Sequence, residues 1–348
     1  MKKTWQKITH WELWPFKVIY APLSLLWIYY AIKARAFWFF SPVNPTLEFS
    51  GFEGETKKEM YEQFPKEYYP KTLHLTAELD YNLVCEKVAE VGFDYPFIAK
   101  PEVGMQGLMV RKIHNLDELK TYHERIQADY LVQAYLDLPL EFSVFHVRYP
   151  GQTKGKVTGF ILKEYLQVVG DGSTTLLGLI QQHPKARYRE DEMRQMHGDN
   201  LDKVITKGEV FQLSFTGNHN RGARFINLHS EIDERLTAVF DTISNNTGAF
   251  YYGRYDLKCT SIEDLKAGRN IMLIEFNGAG AEPNHIYDCG MSYLEALKEI
   301  AWHWKQMYHI AKINHRRGVP YWSFQRGKRH LQNAAVFFER MRKIDKAY

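Results

Sequence analysis

The chain is poor in cysteine and has no long uninterrupted apolar run near its N-terminus. Its three cysteines, Cys85, Cys259 and Cys289, show no paired spacing, which argues against a disulfide framework or a zinc knuckle. Buried thiols in a reducing compartment are the expectation. The uncharged stretch Val18–Ile32 covers 15 residues and is broken by Pro22. That is short of the roughly 20 residues a membrane-spanning helix needs. No small-residue cleavage site follows it, which argues against a secretory signal. Internal repeats and low-complexity segments do not occur either.

What remains is an ordinary globular composition, 45% apolar and 25% charged over 348 residues, enough for one large domain or two smaller ones. The net charge of +4 is unevenly spread. Residues 1–40 carry +5 and residues 312–348 carry +8, leaving −9 for residues 41–311. Two basic, aromatic-rich ends on an acidic body suit an anionic membrane surface, with nucleic acid as the competing partner. Trp and Tyr beside Lys and Arg suggest a helix or re-entrant hairpin at the headgroup level. The expectation is a cytoplasmic protein, peripheral on the inner face of the cell membrane. The alternatives are a true span, or an apolar helix packed on its own domain or on a dimer partner in a homo-oligomer. The basic tail SFQRGKRHLQNAAVFFERMRKIDK has its apolar residues at helical spacing, which fits a packed or membrane-facing helix better than nucleic-acid binding.

The order of segments predicts an apolar segment over 1–40, a Pro-punctuated connector over 41–75 with a short helix at GETKKEMYEQF, a body over 76–311 and a basic amphipathic tail over 312–348. Within the body, helical periodicity in AELDYNLVCEKVAEVG ends at Gly92, and YPFIAKP reads as a strand closed by Pro101. A strand LMVRKI, a helix DELKTYHERIQ and a strand YLVQAYL follow. Mixed strands and helices of this kind predict an α+β fold.

Chemistry is concentrated in three places. Lys100 ends a strand and precedes a turn with Gly104 and Gly107, so its ammonium and the turn's N–H groups can lie on one phosphate chain. A Gly-x-x-Gly hairpin turn would leave the same trace. Gln133, Ala134 and Leu136 form a candidate hinge for adenine, and Glu141, entering an apolar strand, asks for a partner such as a ribose hydroxyl. YYGRYDLKC and NIMLIEFNGAG set Asp256 near Glu275 and Asn277, a hard-oxygen set suited to Mg²⁺. Glu275 and Asn277, two apart, project from one strand face. Taken singly, Arg254 with Asp256 is a surface ion pair, Glu275 a strand-edge charge, and Asn277-Gly278 a turn signal.

In this order, the pieces resemble the ATP-grasp superfamily and its D-alanine–D-alanine ligase pattern over about residues 95–285. LKEYLQVVGDGSTTLLGLIQQH and GEVFQLSFTGNHNRGARFINL are similar to segments of the cyanophycin synthetase group. The resemblance implies an ATP-grasp fold of two α+β subdomains around ATP. It places Lys100 on phosphate, Gly104 to Gly107 in a flexible lid, Gln133, Ala134 and Leu136 on adenine, and Glu141 on ribose. It also implies Arg254 at the transferring phosphoryl group, with Lys163, Asn218 and Arg221 as further catalytic candidates, and Asp256, Glu275 and Asn277 on Mg²⁺ or Mn²⁺. Glu282 and His285 fall where such ligases bind an acceptor, or in a capped loop. The implied activity joins a small-molecule or peptide carboxylate to an amine through an acyl phosphate. A membrane-tethered ATP-binding module without turnover and an ATP-grasp kinase acting on a hydroxyl or lipid-linked substrate are the alternatives. The chain departs from the pattern in having only the apolar segment and connector where a domain of roughly a hundred residues usually stands. The family's upstream ATP-contacting Lys has only Lys71 as a candidate.

Overall fold

The structure, a computed structural model, describes residues 10–104, 107–214, 217, 219 and 222–348. They form two compact units, the described residues of 1–161 with those of 227–348, and the described residues of 162–226. The boundaries expected at 40, 75 and 311 all fall inside the first unit.

The first unit begins with short helices α1 (Phe16–Tyr20) and α2 (Ser24–Ala34). On α2, Leu26, Trp27, Tyr30, Ala31 and Ala34 pack into an aromatic core with Trp38, Phe39, Phe40, Phe49 and Tyr308. Leu25, Ile28, Tyr29 and Ile32 face outward instead, with Leu25 at 76% and Ile32 at 72% exposure. Their spacing of three and four residues is one stripe of an α-helix. The packed-helix alternative thus describes one face of α2, while the other is exposed among the described residues. Among the described residues, no helix is long and apolar enough to cross a membrane.

Residues 41–75, expected as a connector, are tied into the body. Asn44 is fully buried: its amide donates to the Tyr252 and Ser50 carbonyls at 2.8 and 3.2 Å, and its Oδ1 accepts from Tyr251 and Tyr252 N–H at 2.9 and 3.1 Å. Helix α3 (Lys57–Tyr61) follows, capped by Thr56.

A four-stranded antiparallel sheet comes next, in the order β1 (Thr72–Leu75), β4 (Tyr130–Ala134), β2 (Phe97–Pro101), β3 (Arg111–Ile113). Its helices are α4 (Tyr81–Val91), capped by Asp80 and ended by Gly92 at φ +68°, and α5 (Leu116–Ile126), capped by Asn115. Val84, Val88, Leu119, Tyr122 and Ile126 bury against Phe97, Ala99 and Val132. The second sheet contains β5 (Leu140–Arg148) and β6 (Gly155–Glu164).

The second unit holds the ribbon β7 (Gln167–Val169) with β8 (Val210–Gln212), and helices α6 (Leu176–Gln182) and α7 (Glu190–His197), around Leu166, Val168, Ile180, Met193 and Leu213. The GDGST stretch is a turn. Asp171 accepts from the Ser173 and Thr174 N–H groups and both hydroxyls, which hold its carboxyl far below the usual range. Strand β9 (Arg224–Asn227) leads back to the first unit.

There α8 (Glu234–Thr247), β10 (Tyr252–Cys259), α9 (Ile262–Lys266) and β11 (Met272–Asn277) complete the second sheet, ordered β11-β10-β5-β6-β9. Long helices α10 (Tyr293–Arg316), with a Ser292/Glu295 capping box, and α11 (Phe324–Ala347) close the chain. Met341 of α11, from the basic tail, is buried against the four-stranded sheet.

Candidate active site

The antiparallel pairing of β10 with β11 sets Arg254 opposite Asn277 and Asp256 opposite Glu275, with a register shift just after Asp256. Period two then gathers all four side chains on one face. Arg254 donates to both oxygens of Asp256, Nε to Oδ1 and Nη2 to Oδ2, each at 3.1 Å. Asn277 donates its amide to Asp256 Oδ2 at 3.2 Å, and the Ser143 hydroxyl, from β5, donates to Oδ1. Burial alone would lower the Arg254 guanidinium, but Asp256, then Glu275 and Glu282, outweigh it and raise it. Asn277 and Gly278 do more than turn the chain. Ala279 and Gly280 donate to the Ser50 and Gly51 carbonyls at 2.9 and 3.1 Å, and a side chain at Gly278 or Gly280 would collide with Ser50 or Phe52.

Helix α3 links this face to the four-stranded sheet. Lys57 Nζ lies 3.4 Å from Glu275 Oε1, and its N–H donates to the Glu102 carbonyl just past β2 at 3.0 Å. The Tyr61 hydroxyl donates to the Ile274 carbonyl and accepts from Lys100 Nζ at 3.4 Å. Lys100, at the end of β2 as expected, is buried and also donates to Gln133 Oε1 at 2.9 Å. Burial, reinforced by Lys57, pushes the Lys100 ammonium down to about 7. Gly104 stands beside the Lys57 ammonium, with which a side chain there would collide, and Gly107 turns at φ +73°. Burial, then the Glu275 charge, pushes Glu55 up to about 7. Its Oε2 is buried with no hydrogen-bond partner among the described residues.

The expected hinge is divided. Gln133 and Ala134 lie inside β4, paired to Ile98 and Phe97, and the Ala134 N–H donates to the Lys71 carbonyl at 2.9 Å. Gln133 therefore meets Lys100 through its side chain. Leu136 lies beyond the strand, and its carbonyl accepts from Lys258 Nζ at 3.1 Å. Glu141 on β5 stands opposite Lys258 in register. Lys71 reaches the Val91 and Gly92 carbonyls at 3.3 and 2.8 Å, away from Lys100.

Glu282 and His285 follow β11. The Glu282 carboxylate accepts from the Tyr20 and Tyr287 hydroxyls at 2.8 and 3.2 Å, and its carbonyl accepts from Arg254 Nη1 at 3.2 Å. Tyr20 comes from the N-terminal segment, and Trp11 binds the Met291 carbonyl and stacks on Tyr287, so residues 11–20 cover this loop. His285 turns into the body, its Nε2 3.2 Å from Glu299 Oε1. Lys163 is buried in the second unit at the end of β6. Asn218 and Arg221 lie outside the described residues.

Sequence reasoning missed Lys57, Tyr61 and Glu55, which sit in a stretch read as connector. The Lys-Lys-Glu-Met-Tyr helix was legible, but its apolar residues were too few to mark it as a wall of a site. It also missed Glu299 and His303, one helical turn apart on α10.

No family model and no curated protein matches the chain. Its backbone is similar to parts of several solved structures. A D-alanine–D-alanine ligase from Bacillus anthracis is 15% identical over 76% of this chain and 69% of its own, with a TM-score of 0.44. N5-carboxyaminoimidazole ribonucleotide synthetase bound to ADP is 12% identical over 74% and 52%, at 0.43. A bifunctional glutathione synthetase from Pasteurella multocida is 18% identical over 72% and 36%, at 0.38. The chain thus spans little more than a third of one of these proteins and about half of another. These figures describe likeness; the chemistry rests on the side chains described above.

Proposed function

We propose that the chain is an ATP-dependent ligase that joins a carboxylate to an amine through an acyl phosphate. The observation that carries this reading is the four-residue face of β10 and β11, with Arg254, Asp256, Glu275 and Asn277 in paired register and Lys57 and Lys100 brought to it by α3. Oxygen-bearing groups that converge on one face fit a small hard cation, and Arg254 and Lys57 already place positive charge against the same carboxylates. Asp256, Glu275 and Asn277 would hold Mg²⁺, with Asn277 turned to present its Oδ1. When bound, the ion supplies charge cancellation for phosphoryl transfer.

The chain's own groups do the rest. Lys100, with Gly104 and Gly107, receives the phosphates of ATP, while Lys258 and Glu141 flank the ribose side. Arg254, locked by Asp256, faces the transferring group. The substrate carboxylate oxygen attacks the γ-phosphorus, and the bond to the β,γ-bridging oxygen breaks with its electrons leaving on ADP. The amine nitrogen then attacks the acyl carbon and loses a proton, and the C–O bond to phosphate breaks, releasing inorganic phosphate and the amide. Positioning and electrostatics carry such a reaction, and both are built into the strand pairing. The test is ADP release by the purified chain over pooled carboxylates and amines. Amine-dependent release supports the ligase. A stable phosphate ester would indicate the kinase, and ATP binding without release the non-catalytic module.

The outward stripe of α2 adds a location to this reading. Leu25, Ile28, Tyr29 and Ile32, together with exposed Phe16, Phe37 and Phe324 and the basic residues of these segments, are suited to lie on anionic lipid. Flotation with vesicles containing phosphatidylserine, against phosphatidylcholine alone, tests it. Equal recovery with both would contradict it.

A further inference from the structure

Away from the strand face, α10 carries a second constellation. Glu299 and His303, four residues apart, share one helix face, and His285 meets them from the loop after β11. Glu299 Oε1 lies 3.2 Å from His285 Nε2 and 3.3 Å from His303 Nε2. The three ligand atoms all fall within 4.8 Å of one another. His285 is 6% exposed and His303 fully buried. His303 sits 4.4 Å from the Phe145 ring and 5.0 Å from Trp302, with the Tyr252 ring at 6.0 Å. Gly159 leaves the room, since a side chain there would collide with the His285 ring.

His285 Nε2 pairs with Glu299, but hydrogen bonding does not satisfy the rest of the cluster. Among the described residues, neither His303 ring nitrogen makes a hydrogen bond, nor does His285 Nδ1. Leaving buried imidazole nitrogens unpaired is costly. A metal ion bound through Nε2 of both rings would satisfy His303 Nε2, which makes no hydrogen bond among the described residues. In a tetrahedral site with ligands at about 2.0–2.1 Å, ligand atoms stand about 3.3 Å apart, which the two separations here match.

We infer that His285, Glu299 and His303 form a binding site for a first-row transition dication such as Zn²⁺, distinct from the Asp256–Glu275–Asn277 face. Two imidazoles and one carboxylate are the donors such ions prefer, and a hard, strongly hydrated Mg²⁺ does not seek them. The aromatic shell makes the site structural. It fastens the loop carrying Glu282 to α10, next to the proposed ATP site but independent of whether that site turns over.

The test uses the full chain, stripped with chelator and loaded with Zn²⁺ or Co²⁺. We expect close to one Zn²⁺ per chain retained through gel filtration, a Tm that rises with free Zn²⁺, and visible Co²⁺ bands stronger than those of the aqueous ion. Retention is lost in His303→Ala and Glu299→Gln and kept in Glu275→Gln. Wild-type protein that retains no Zn²⁺ and gives no such Co²⁺ bands would overturn the inference, and this needs no variant to fold. Retention lost only in Glu275→Gln would overturn it equally, by placing the ion on the strand face.

Discussion

The first unit gathers charge in two places, and the two are built in opposite ways. On the strand face, both Asp256 oxygens meet donors, and Glu275 meets Lys57 from a helix of a separate part of the chain. Around Glu299, one carboxylate serves two imidazoles, and among the described residues some ring nitrogens there make no hydrogen bond inside an aromatic core. The strand face is balanced by the cationic side chains of Arg254 and Lys57, which an incoming phosphate chain can share. The histidine cluster is enclosed, so what it binds must stay. The difference teaches that the same residue types suit a visiting substrate or a resident ion according to burial and to whether their hydrogen bonds are already complete.

The largest expected effect sharpens that contrast on the strand face. Glu275→Gln should lower kcat for ADP release by roughly 10²–10³-fold, as losing a charge-stabilising group does. Its Tm should hardly move, because the side chain is more than a third exposed. Asp256→Asn should cost at least as much turnover and also some stability, since Arg254 loses its buried partner.

Asn44→Ala comes next. It removes three hydrogen bonds to the backbone of Tyr251 and Tyr252 and one to the Ser50 carbonyl, and denaturant unfolding should show a loss of roughly 3 kcal/mol. A near-neutral result would mean this stretch is the loose connector its sequence suggested.

Lys100 gives a pH signature. With its folded value near 7, below the free-lysine value of 10.5, the folded chain holds fewer protons than the unfolded chain between those limits. Its contribution to stability therefore rises with pH across that window, and the full penalty of the buried charge is present below 7. For ATP the sign reverses. The empty site loses the ammonium above pH 7, so affinity should fall by up to about tenfold per pH unit there, with proton uptake on binding. Calorimetry in buffers of different ionisation enthalpy measures this, and Lys100→Met should abolish it.

The smallest effect on the fold is expected outside both clusters. Replacing Leu25, Ile28 and Ile32 by Ser should change stability by less than about 0.5 kcal/mol each, because all three are exposed. It should nonetheless abolish vesicle recovery.

Much of the strand face was legible in the sequence. Arg254 and Asp256 on one run and Glu275 and Asn277 on another alternate with apolar residues, so period two fixes their common side and the register follows. The stop at Gly92 and the Lys100 strand end were readable for the same local reasons. What was not readable depends on contacts between distant segments. Lys57 and Tyr61 gain their role only when α3 packs between β2 and β11, and the sparse apolar content of GETKKEMYEQF does not announce it. His285 stands fourteen residues before Glu299, and only the fold turns it away from the acceptor region toward α10. The carboxylate-x-x-x-histidine spacing on α10 was the one available clue.

The central claim is tested most directly by ADP release from Mg-ATP over pooled carboxylates and amines, comparing the wild type with Glu275→Gln. The account predicts release that requires both a carboxylate and an amine, present in the wild type and nearly absent in the variant. Equal release from both proteins, or release indifferent to the amine, would contradict it.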